Sequence, residues 1–416
     1  MIFEVKKMNE LEFDKSLLFI PEGVKDVYGI DCRRRDAIEK LIRREMRLYG
    51  FNDIKTPGFE FFDIFNKERG TVSSNKMYKF FDKHNNTLVL RPDHTPQIAR
   101  CVARYYANED MQLRLCYTGE TYIHQSGYQG KLSQTTQIGA ELVCDSSSDA
   151  DGEMLTLTID CLKKSGLESF QIDIGHAGII EGLLEEAGLS ADEETKLKNY
   201  IENKNSHAIA QMLSDKDIKS GTKEIFVGIC SLFGENDSLE FIRTRTNNQK
   251  TLDAVDRLSK LKEFLASYDM LGNVTFDPGM LSRYDYYTGV IFKAYTYGTG
   301  EAIASGGRYD NLMAQFGKNA PAVGVVFLLD QLMEALDTQK IEVDTGENDI
   351  LVLYRSANRK AAIDMVSKLR DEGKSVFLMR KNADISLDEY KEYAKRRSLS
   401  KLQYIDDTGE VTVFDF

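Results

Sequence analysis

Residues 90–96 read Leu-Arg-Pro-Asp-His-Thr-Pro, and this stretch is the most informative about the fold. It follows a short run of apolar and β-branched residues, 87–90, that predicts a strand. Pro92 ends that run, and residues 95–106 have the apolar spacing of a short helix. The stretch therefore marks a turn from a strand into a helix, with an acid, a histidine and a threonine placed at the turn.

A second stretch, residues 137–141, reads Gln-Ile-Gly-Ala-Glu and lies in a strand predicted over residues 137–143. Side chains alternate across a strand, so Gln137, Gly139 and Glu141 share one face. The two polar side chains point the same way, and the glycine leaves room between them.

The surrounding sequence alternates short strands with amphipathic helices, and we expect one domain over residues 1–336. Within it, residues 178–272 lack proline and show helical Leu, Ile and Ala periodicity, which predicts a helical insertion. Further strands are predicted over 113–117, 170–174, 290–296, 301–304 and 323–327, and helices over 33–49, 150–165, 309–316 and 328–336.

The C-terminal end has a different organisation. Residues 337–347 are polar and lack an apolar pattern, which predicts a linker. Residues 348–416 then alternate strand and helix as β-α-β-α-β, which predicts a small α/β domain with a parallel sheet. Its strands are predicted over 350–354, 375–379 and 402–405, and its helices over 359–372 and 387–398.

Composition excludes several classes of protein. The 416 residues are 42% hydrophobic and 29% charged, and the net charge of −12 is unfavourable for coating nucleic acid. No apolar run reaches the ~18 residues that span a membrane, and residues 1–9 lack the apolar core of a signal sequence. The six cysteines are scattered and the five histidines lack metal-ligand spacing. We therefore expect a cytoplasmic protein without a metal site.

Two short motifs give only weak indications of nucleotide chemistry. Residues 406–409, Asp-Asp-Thr-Gly, share their residue types with phosphoribosyl-pyrophosphate loops. Such a loop needs several residues between the acids and the threonine to wrap a phosphate, so an ordinary turn is favoured here. The glycines of residues 298–307 do not form a GxGxxG motif between a strand and a helix. We expect no cofactor.

Two further stretches complete an ordered set of four: residues 284–288, Tyr-Asp-Tyr-Tyr-Thr, and residues 305–310, Ser-Gly-Gly-Arg-Tyr-Asp. In this order the four resemble the class II histidyl-tRNA synthetase family over about residues 17–336. The resemblance implies an α+β fold with an antiparallel sheet, flanking helices and a dimer formed through residues 33–57. The C-terminal residues resemble a shortened anticodon-binding domain.

The same resemblance exposes three departures from a synthetase. A synthetase brings the triphosphate of ATP and a carboxylate together, so it needs fixed cations. The family pattern supplies three arginines, and the corresponding residues here are Ile123, Ser282 and Gln331. Arg283 lies beside Ser282, but one step along a strand reverses the direction of a side chain. These departures imply that the ATP site is lost and that amino acids are not activated.

The resemblance implies that the amino-acid half of the site is retained. Glu141 would accept a hydrogen bond from the imidazole of histidine, and Tyr286 or Tyr287 would reach the other ring nitrogen. An alternative stays open, in which these side chains only preserve inherited hydrogen bonds of the core. The residues implied around the α-ammonium group are Asp93, Thr95 and Gln137.

A synthetase-like body without these arginines, together with residues 128–132, Tyr-Gln-Gly-Lys-Leu, resembles the regulatory subunits of ATP phosphoribosyltransferase. That resemblance implies a non-catalytic partner of a short-form catalytic subunit, with no membrane and no tRNA partner. The pair would perform the first step of histidine biosynthesis, with histidine as feedback effector. The best-matched members would lack an anticodon-like domain, so residues 348–416 would depart from their pattern.

Two alternatives remain open. The chain could be an active histidyl-tRNA synthetase that uses other cations, such as Lys131, Arg283 or Arg308. It could also be a free-standing histidine sensor without a phosphoribosyltransferase partner.

Overall fold

The computed structural model describes residues 18–65, 72–125, 131–232, 234, 238–282, 286–346 and 349–416. These residues form two compact units. Unit 1 comprises the described residues of Met1–Asp26 and Glu39–Glu342, and unit 2 those of Val27–Ile38 and Val343–Phe416. The domain boundaries expected from the sequence stay a prediction.

Unit 1 is built on a large mixed sheet. Its described strands are β1 (Asn52–Asp53), β2 (Phe59–Phe61), β3 (Lys79–Phe81), β4 (Thr87–Leu90), β5 (Leu113–Tyr122), β6 (Gln134–Val143), β7 (Phe170–His176), β8 (Val274–Phe276), β9 (Val290–Thr296), β10 (Ala304–Arg308) and β11 (Ala322–Leu328). Eight of them pair in the order β1-β5-β6-β11-β10-β9-β7-β8, and β2-β4-β3 form a small separate sheet. Only the outer pairs of the large sheet, β1 with β5 and β7 with β8, are parallel. The centre of the sheet is antiparallel, as expected.

The helices of unit 1 fall into two sets. Outside the segment between β7 and β8, the described helices are α1 (Gly29–Leu48), α2 (Thr95–Tyr105), α3 (Ser148–Lys164) and α10 (Leu329–Thr338), and α1 contributes its first residues to unit 2. Between β7 and β8 lie α4 (Ala177–Ala187), α5 (Ala191–Glu202), α6 (Ser206–Leu213), α7 (Ser220–Gly228), α8 (Ser238–Arg243) and α9 (Gln249–Ser267). Within this helical segment α9 packs on α4, and α9 also packs on α3 outside the segment.

Local signals explain where these helices begin. The Ser147 side chain accepts a hydrogen bond from the Ala150 amide at the start of α3. Ser190 and Glu193 form a reciprocal capping box at the start of α5, and Asn248 caps α9. Such caps satisfy amide groups that a helix leaves without partners at its first turn.

A buried cluster joins α2 to the central strands of the large sheet. It includes Ile98 and Val102 from α2, Tyr117 from β5, and Tyr309 just after β10. Aromatic side chains with polar tips therefore lie inside the core, where each hydroxyl needs a hydrogen-bond partner. Polar groups of these core side chains therefore form part of the candidate site.

Unit 2 contains the predicted alternation of strands and helices, followed by one antiparallel strand that was not predicted. Its described elements after α1 are β12 (Ile350–Tyr354), α11 (Arg359–Asp371), β13 (Val376–Arg380), α12 (Leu387–Arg396), β14 (Lys401–Ile405) and β15 (Val411–Asp415). The sheet order is β13-β12-β14-β15; the first three strands are parallel and β15 is antiparallel. Separate apolar clusters on its two faces involve α11 and α12.

Two predicted elements around the fourth motif are wrong. The strand expected over 301–304 begins only at Ala304 and continues to Arg308, through two consecutive glycines. Those glycines are required by close packing, since a Cβ on Gly306 would lie 2.3 Å from the Phe292 ring. The helix expected over 309–316 is a single short turn, Met313–Phe316. Among the described helices, none combines the length and apolar character that crossing a membrane needs.

Candidate functional site

The candidate site is built on one face of the paired strands β5 and β6. In their register Tyr117 lies opposite Gly139, and Gly119 lies opposite Gln137. Glu141 follows Gly139 on the same face, because side chains on a strand alternate. The structure therefore confirms that Gln137 and Glu141 lie on one β-strand with a glycine between them.

Glu141 is a buried carboxylate held by two hydroxyl groups. Its side chain is only 2% exposed. Thr95 donates its hydroxyl to Oε1 at 2.9 Å, and Tyr309 donates its hydroxyl to Oε2. Each carboxylate oxygen has a second lone pair, so Glu141 can accept a further hydrogen bond from a ligand.

Burial raises the pKa of Glu141 to about 8, although the hydrogen bonds from Tyr309 and Thr95 act in the opposite direction. The negative charge of Asp93 raises it further. Without a ligand the carboxyl therefore holds a proton over most of the range below about pH 8, and a ligand that donates a hydrogen bond favours the ionised form.

Two glycines make the space that this carboxylate occupies. Gly324 lies opposite Glu141 in β11, and a Cβ at that position would come within 1.8 Å of Oε2. A Cβ on Gly139 would lie 2.3 Å from the Tyr117 ring. Side chains at either position would displace the groups that define the site.

Tyr286 and Tyr287 adjoin Tyr309, the tyrosine that donates its hydroxyl to the Glu141 carboxylate. The rings of Tyr286 and Tyr287 lie 4.7 Å apart between centroids, and Tyr286 meets Tyr309 edge-on at 5.7 Å. Tyr286 is 8% exposed, which places it in the core. The expected pair Tyr286 and Tyr287 is therefore present, while residues 283–285 of the same motif lie outside the described residues.

Sequence reasoning missed two members of this cluster, Tyr117 and Tyr309. Tyr309 lies within the fourth motif, and its buried hydroxyl needs an acceptor, so a signal was present. Tyr117 is recognisable only from the register that puts its ring over Gly139. Burial raises the pKa of the Tyr117 hydroxyl well above 10, and the nearby Glu141 and Asp93 raise it further.

The residues expected around an α-ammonium group lie at the start of α2 and on β6. The Thr95 amide donates to Oδ1 of Asp93 at 3.3 Å. The side-chain oxygen of Gln137 is buried and accepts no hydrogen bond from a described residue. Asp93 is close enough to Glu141 and Tyr117 for its charge to shift their pKa values. Acceptors for an ammonium group are thus present beside the carboxylate.

The three positions that the synthetase resemblance assigns to arginines lie elsewhere around the sheet. Ile123 follows β5, is half-buried, and donates its amide to the Ser133 carbonyl at 2.8 Å. Gln331 lies in the first turn of α10, with Nε2 at 3.5 Å from a Glu301 carboxylate oxygen. Ser282 is half-buried at the end of a described segment.

Alternative cations proposed for an ATP site have other partners. Lys131 pairs with Glu301 at 2.5 Å. Arg308 is 3% exposed, donates to Asp151 at 2.7 Å, and also donates to the carbonyl oxygens of Asp145 and Ser147. Arg308 therefore joins β10 to the region before α3. Arg283 lies outside the described residues.

Comparisons with known proteins identify the relatives of this chain. The family model described as Histidyl-tRNA synthetase matches residues 23–332. An ATP phosphoribosyltransferase regulatory subunit from Acetivibrio thermocellus is 36% identical over 359 residues, covering 86% of each chain. Another, from Ruminiclostridium cellulolyticum, is 34% identical over 400 residues, covering 96% of this chain and 94% of the relative.

Solved structures give the same result. A protein from Bacillus halodurans, described as an ATP phosphoribosyltransferase regulatory subunit/histidyl-tRNA synthetase, has a TM-score of 0.81 at 29% identity, over 94% of this chain and 97% of that one. The apo histidyl-tRNA synthetase of S. aureus has a TM-score of 0.67 at 21% identity, over 95% and 97% of the two chains, which shows the fold alone. The predicted class II synthetase-like fold is confirmed.

One expectation about the family is wrong. The best-matched members were expected to lack a counterpart of residues 348–416. The match to the Ruminiclostridium cellulolyticum relative covers 96% of this chain, which is possible only if most of those residues have a counterpart there.

Proposed function

This chain belongs to the family of ATP phosphoribosyltransferase regulatory subunits, and from that premise we propose that it is the non-catalytic partner of a short-form catalytic chain. The pair would carry out the first step of histidine biosynthesis. The chain would be needed for turnover and would make turnover sensitive to histidine.

The single observation that carries the histidine-sensing role is the hydrogen-bonded position of Glu141. Its two oxygens are oriented by neutral hydroxyl groups, from Thr95 and Tyr309, rather than by a cation. A buried carboxylate with spare lone pairs and no ion pair among these contacts favours a ligand that donates an N–H group. The imidazole of histidine is such a ligand, and Tyr286 or Tyr287 would bond its second nitrogen.

The residues proposed around the α-ammonium group favour the same ligand. Asp93 supplies a negative charge close to Glu141, and Gln137 supplies a buried carbonyl oxygen that accepts no bond from a described residue. An amino acid with an imidazole side chain would satisfy both ends of this arrangement. A histidine-sensing site would therefore agree with membership of the regulatory-subunit family.

A regulatory role also accounts for the surroundings of the three non-cationic positions. Transfer of a nucleotidyl group needs cations that face the phosphates. Near Gln331 the lysines form ion pairs with protein acids, Lys131 with Glu301 and Lys25 with Asp330 at 3.1 Å. We infer that the chain does not activate amino acids and does not act on tRNA.

We further infer that two copies associate through residues 33–57 in the cytoplasm. Exposed apolar side chains support an interface in or near this region. Leu48 is 69% exposed, and Phe59, which lies two residues after the end of the region, is 53% exposed. Large apolar side chains that are exposed in one copy would be covered if a second copy packed there.

The test is reconstitution with a short-form catalytic chain from the same organism. We expect phosphoribosyl transfer to ATP only when both chains are mixed, and progressive loss of that turnover as histidine is added. Equal turnover by the catalytic chain with and without this protein would overturn the proposal. Histidine binding without any activation would instead favour a free-standing sensor.

A further inference from the structure

A second group of polar side chains lies over Gly119, on the same face of the sheet as Glu141. Gly119 and Tyr117 are two residues apart on β5, so both positions face the candidate site. A Cβ on Gly119 would lie 2.6 Å from Nη2 of Arg91 and 2.9 Å from Cε1 of His94. Only glycine lets these two side chains approach the strand so closely.

Arg91 is a buried guanidinium that is only partly satisfied. It is 7% exposed, and its Nε donates to the Glu120 carbonyl at 2.9 Å. Its Nη1 donates to the carbonyl oxygens of Thr56 and Pro57, both at 3.2 Å. Within the described residues, Nη2 donates no hydrogen bond and the guanidinium forms no ion pair. The charges of Glu120 and Asp93 act on this guanidinium without an ion pair to it, and its Nη2 edge can still bind an anionic ligand.

His94 presents a second donor at the same place. Its side chain is 2% exposed and stacks on the Tyr117 ring, with centroids 4.4 Å apart and planes at 25°. Neither ring nitrogen has a well-formed hydrogen bond among the described residues, although the Gly119 backbone lies near enough to act upward on the pKa of His94. Burial lowers the pKa of His94 to about 3, and the positive charge of Arg91 lowers it further. The ring is therefore neutral near pH 7, with one N–H donor and one acceptor.

We propose that Arg91 and His94 form a carboxylate subsite over Gly119, and that this subsite binds the α-carboxylate of the ligand whose imidazole reaches Glu141. The proposal rests on the proposed function of the Glu141 site. The subsite supplies a partner for the ligand carboxylate. Ile123 and Ser282, at the positions assigned to two synthetase arginines, have no cation to offer it.

The charges around Tyr117 agree with this assignment. Asp93 lies near Glu141 and Tyr117, while His94 stacks on the same Tyr117 ring. A zwitterionic ligand would thus place its positive group at Asp93 and its negative group between His94 and Nη2 of Arg91.

The test compares histidine with histamine, which has the same imidazole and ammonium groups but no carboxylate. Calorimetric titration of the full chain should give an affinity for histidine at least about 10-fold higher than for histamine, as expected for loss of a hydrogen bond to a charged group. Equal affinities would overturn the subsite, and this part of the test needs no altered protein.

The His94→Phe variant locates the discrimination. Phenylalanine keeps a ring to stack on Tyr117 but has no N–H, so histidine affinity should fall about 10-fold while histamine affinity stays unchanged. His84→Phe is the matched control, because His84 is exposed in a turn and should alter neither affinity. Arg91 is left unaltered, because its bonds to Thr56, Pro57 and Glu120 hold the backbone.

The outcomes separate the two proposals. If the unaltered chain binds histidine and His94→Phe leaves the preference over histamine intact, the subsite is wrong while the Glu141 site stands. If the unaltered chain binds neither compound, both the subsite and the proposed sensing function are overturned.

Discussion

The cluster around Glu141 and the surface around Gln331 belong to the same unit but treat charge in opposite ways. At Glu141 one buried carboxylate is oriented by the hydroxyl groups of Thr95 and Tyr309. Around Gln331 two carboxylates, Glu301 and Asp330, each pair with a lysine. The first arrangement leaves hydrogen-bonding capacity for a ligand to use, whereas the second uses its cations within the protein.

This difference gives a physical reason why one half of a synthetase-like site would persist in a regulatory chain. Removing Glu141 would leave the buried hydroxyl of Tyr309 without its acceptor, which costs stability. An exposed cation can instead be exchanged at little cost, because surface ion pairs contribute about 0–1 kcal/mol. The packed half would then be kept by folding and by the proposed ligand together, and the cationic half by catalysis alone.

The largest expected effect concerns adenylate formation. Each missing cation that faces a transition-state charge is expected to cost about 100- to 1,000-fold in rate. With Ile123, Ser282 and Gln331 at the positions that the synthetase resemblance assigns to arginines, histidine-dependent exchange of pyrophosphate into ATP should stay at the level of the blank without protein. A histidyl-tRNA synthetase assayed in parallel is the positive control. Exchange above the blank by this chain would show that it still forms the adenylate.

The next effect concerns the glycine behind Glu141. Gly324→Ala would place a Cβ 1.8 Å from Oε2 of Glu141 and 3.1 Å from the Ala140 carbonyl oxygen. We expect a loss of roughly 1–3 kcal/mol in the free energy of unfolding, measured by urea denaturation, and loss of histidine binding. Gly300→Ala is the matched control, because nothing lies within 4 Å of its added Cβ. Equal stability of the two variants would contradict the packing described for Glu141.

A smaller effect concerns the pH dependence of stability. The folded state raises the pKa of Glu141 from 4.5 to about 8, so between these values it holds a proton that the unfolded chain releases. This carboxyl therefore makes folding less favourable as pH rises through that window. Glutamine has no such proton, so Glu141→Gln should gain stability relative to the unaltered chain as pH rises, by up to roughly 1.4 kcal/mol per pH unit.

Urea unfolding of both proteins from about pH 5 to about pH 8 measures this difference, and other titrating groups cancel in the comparison. A difference in unfolding free energy that does not change with pH would mean that Glu141 is ionised throughout.

The smallest effect is expected at the other region. Lys131 and Glu301 are each 47% exposed at their side chains, so Lys131→Gln should change the unfolding free energy by less than about 1 kcal/mol. It should also leave histidine binding unchanged. A large loss of histidine affinity would show that this lysine faces the ligand, and the two regions would then form one site.

Local patterns predicted much of the fold. The strands Thr87–Leu90, Val290–Thr296 and Ile350–Tyr354 have the predicted bounds, because apolar runs bounded by polar residues mark buried strands. The strand Ala304–Arg308 was misplaced because its consecutive glycines have low strand propensity and depend on packing against Phe292. Tertiary contact determined that element.

The candidate site was predictable to the same extent. Glu141, Gln137 and the start of α2 follow from alternation and from motif order. The roles of Tyr117 and His94 depend on the register of β5 with β6 and on ring stacking across the sheet. Contacts between residues distant in sequence leave no periodic signal, so the structure was needed to find them.

Histidine inhibition of the reconstituted complex tests the central claim, that Glu141 is the residue through which histidine acts. The half-inhibitory concentration is measured for complexes containing the unaltered chain, Glu141→Gln or Lys131→Gln, each normalised to its own uninhibited turnover. Removing the charged acceptor should raise the value about 10- to 100-fold for Glu141→Gln, while Lys131→Gln should match the unaltered chain. An unchanged half-inhibitory concentration for Glu141→Gln would show that histidine does not act through Glu141, and would place the effector site on the catalytic partner or between subunits.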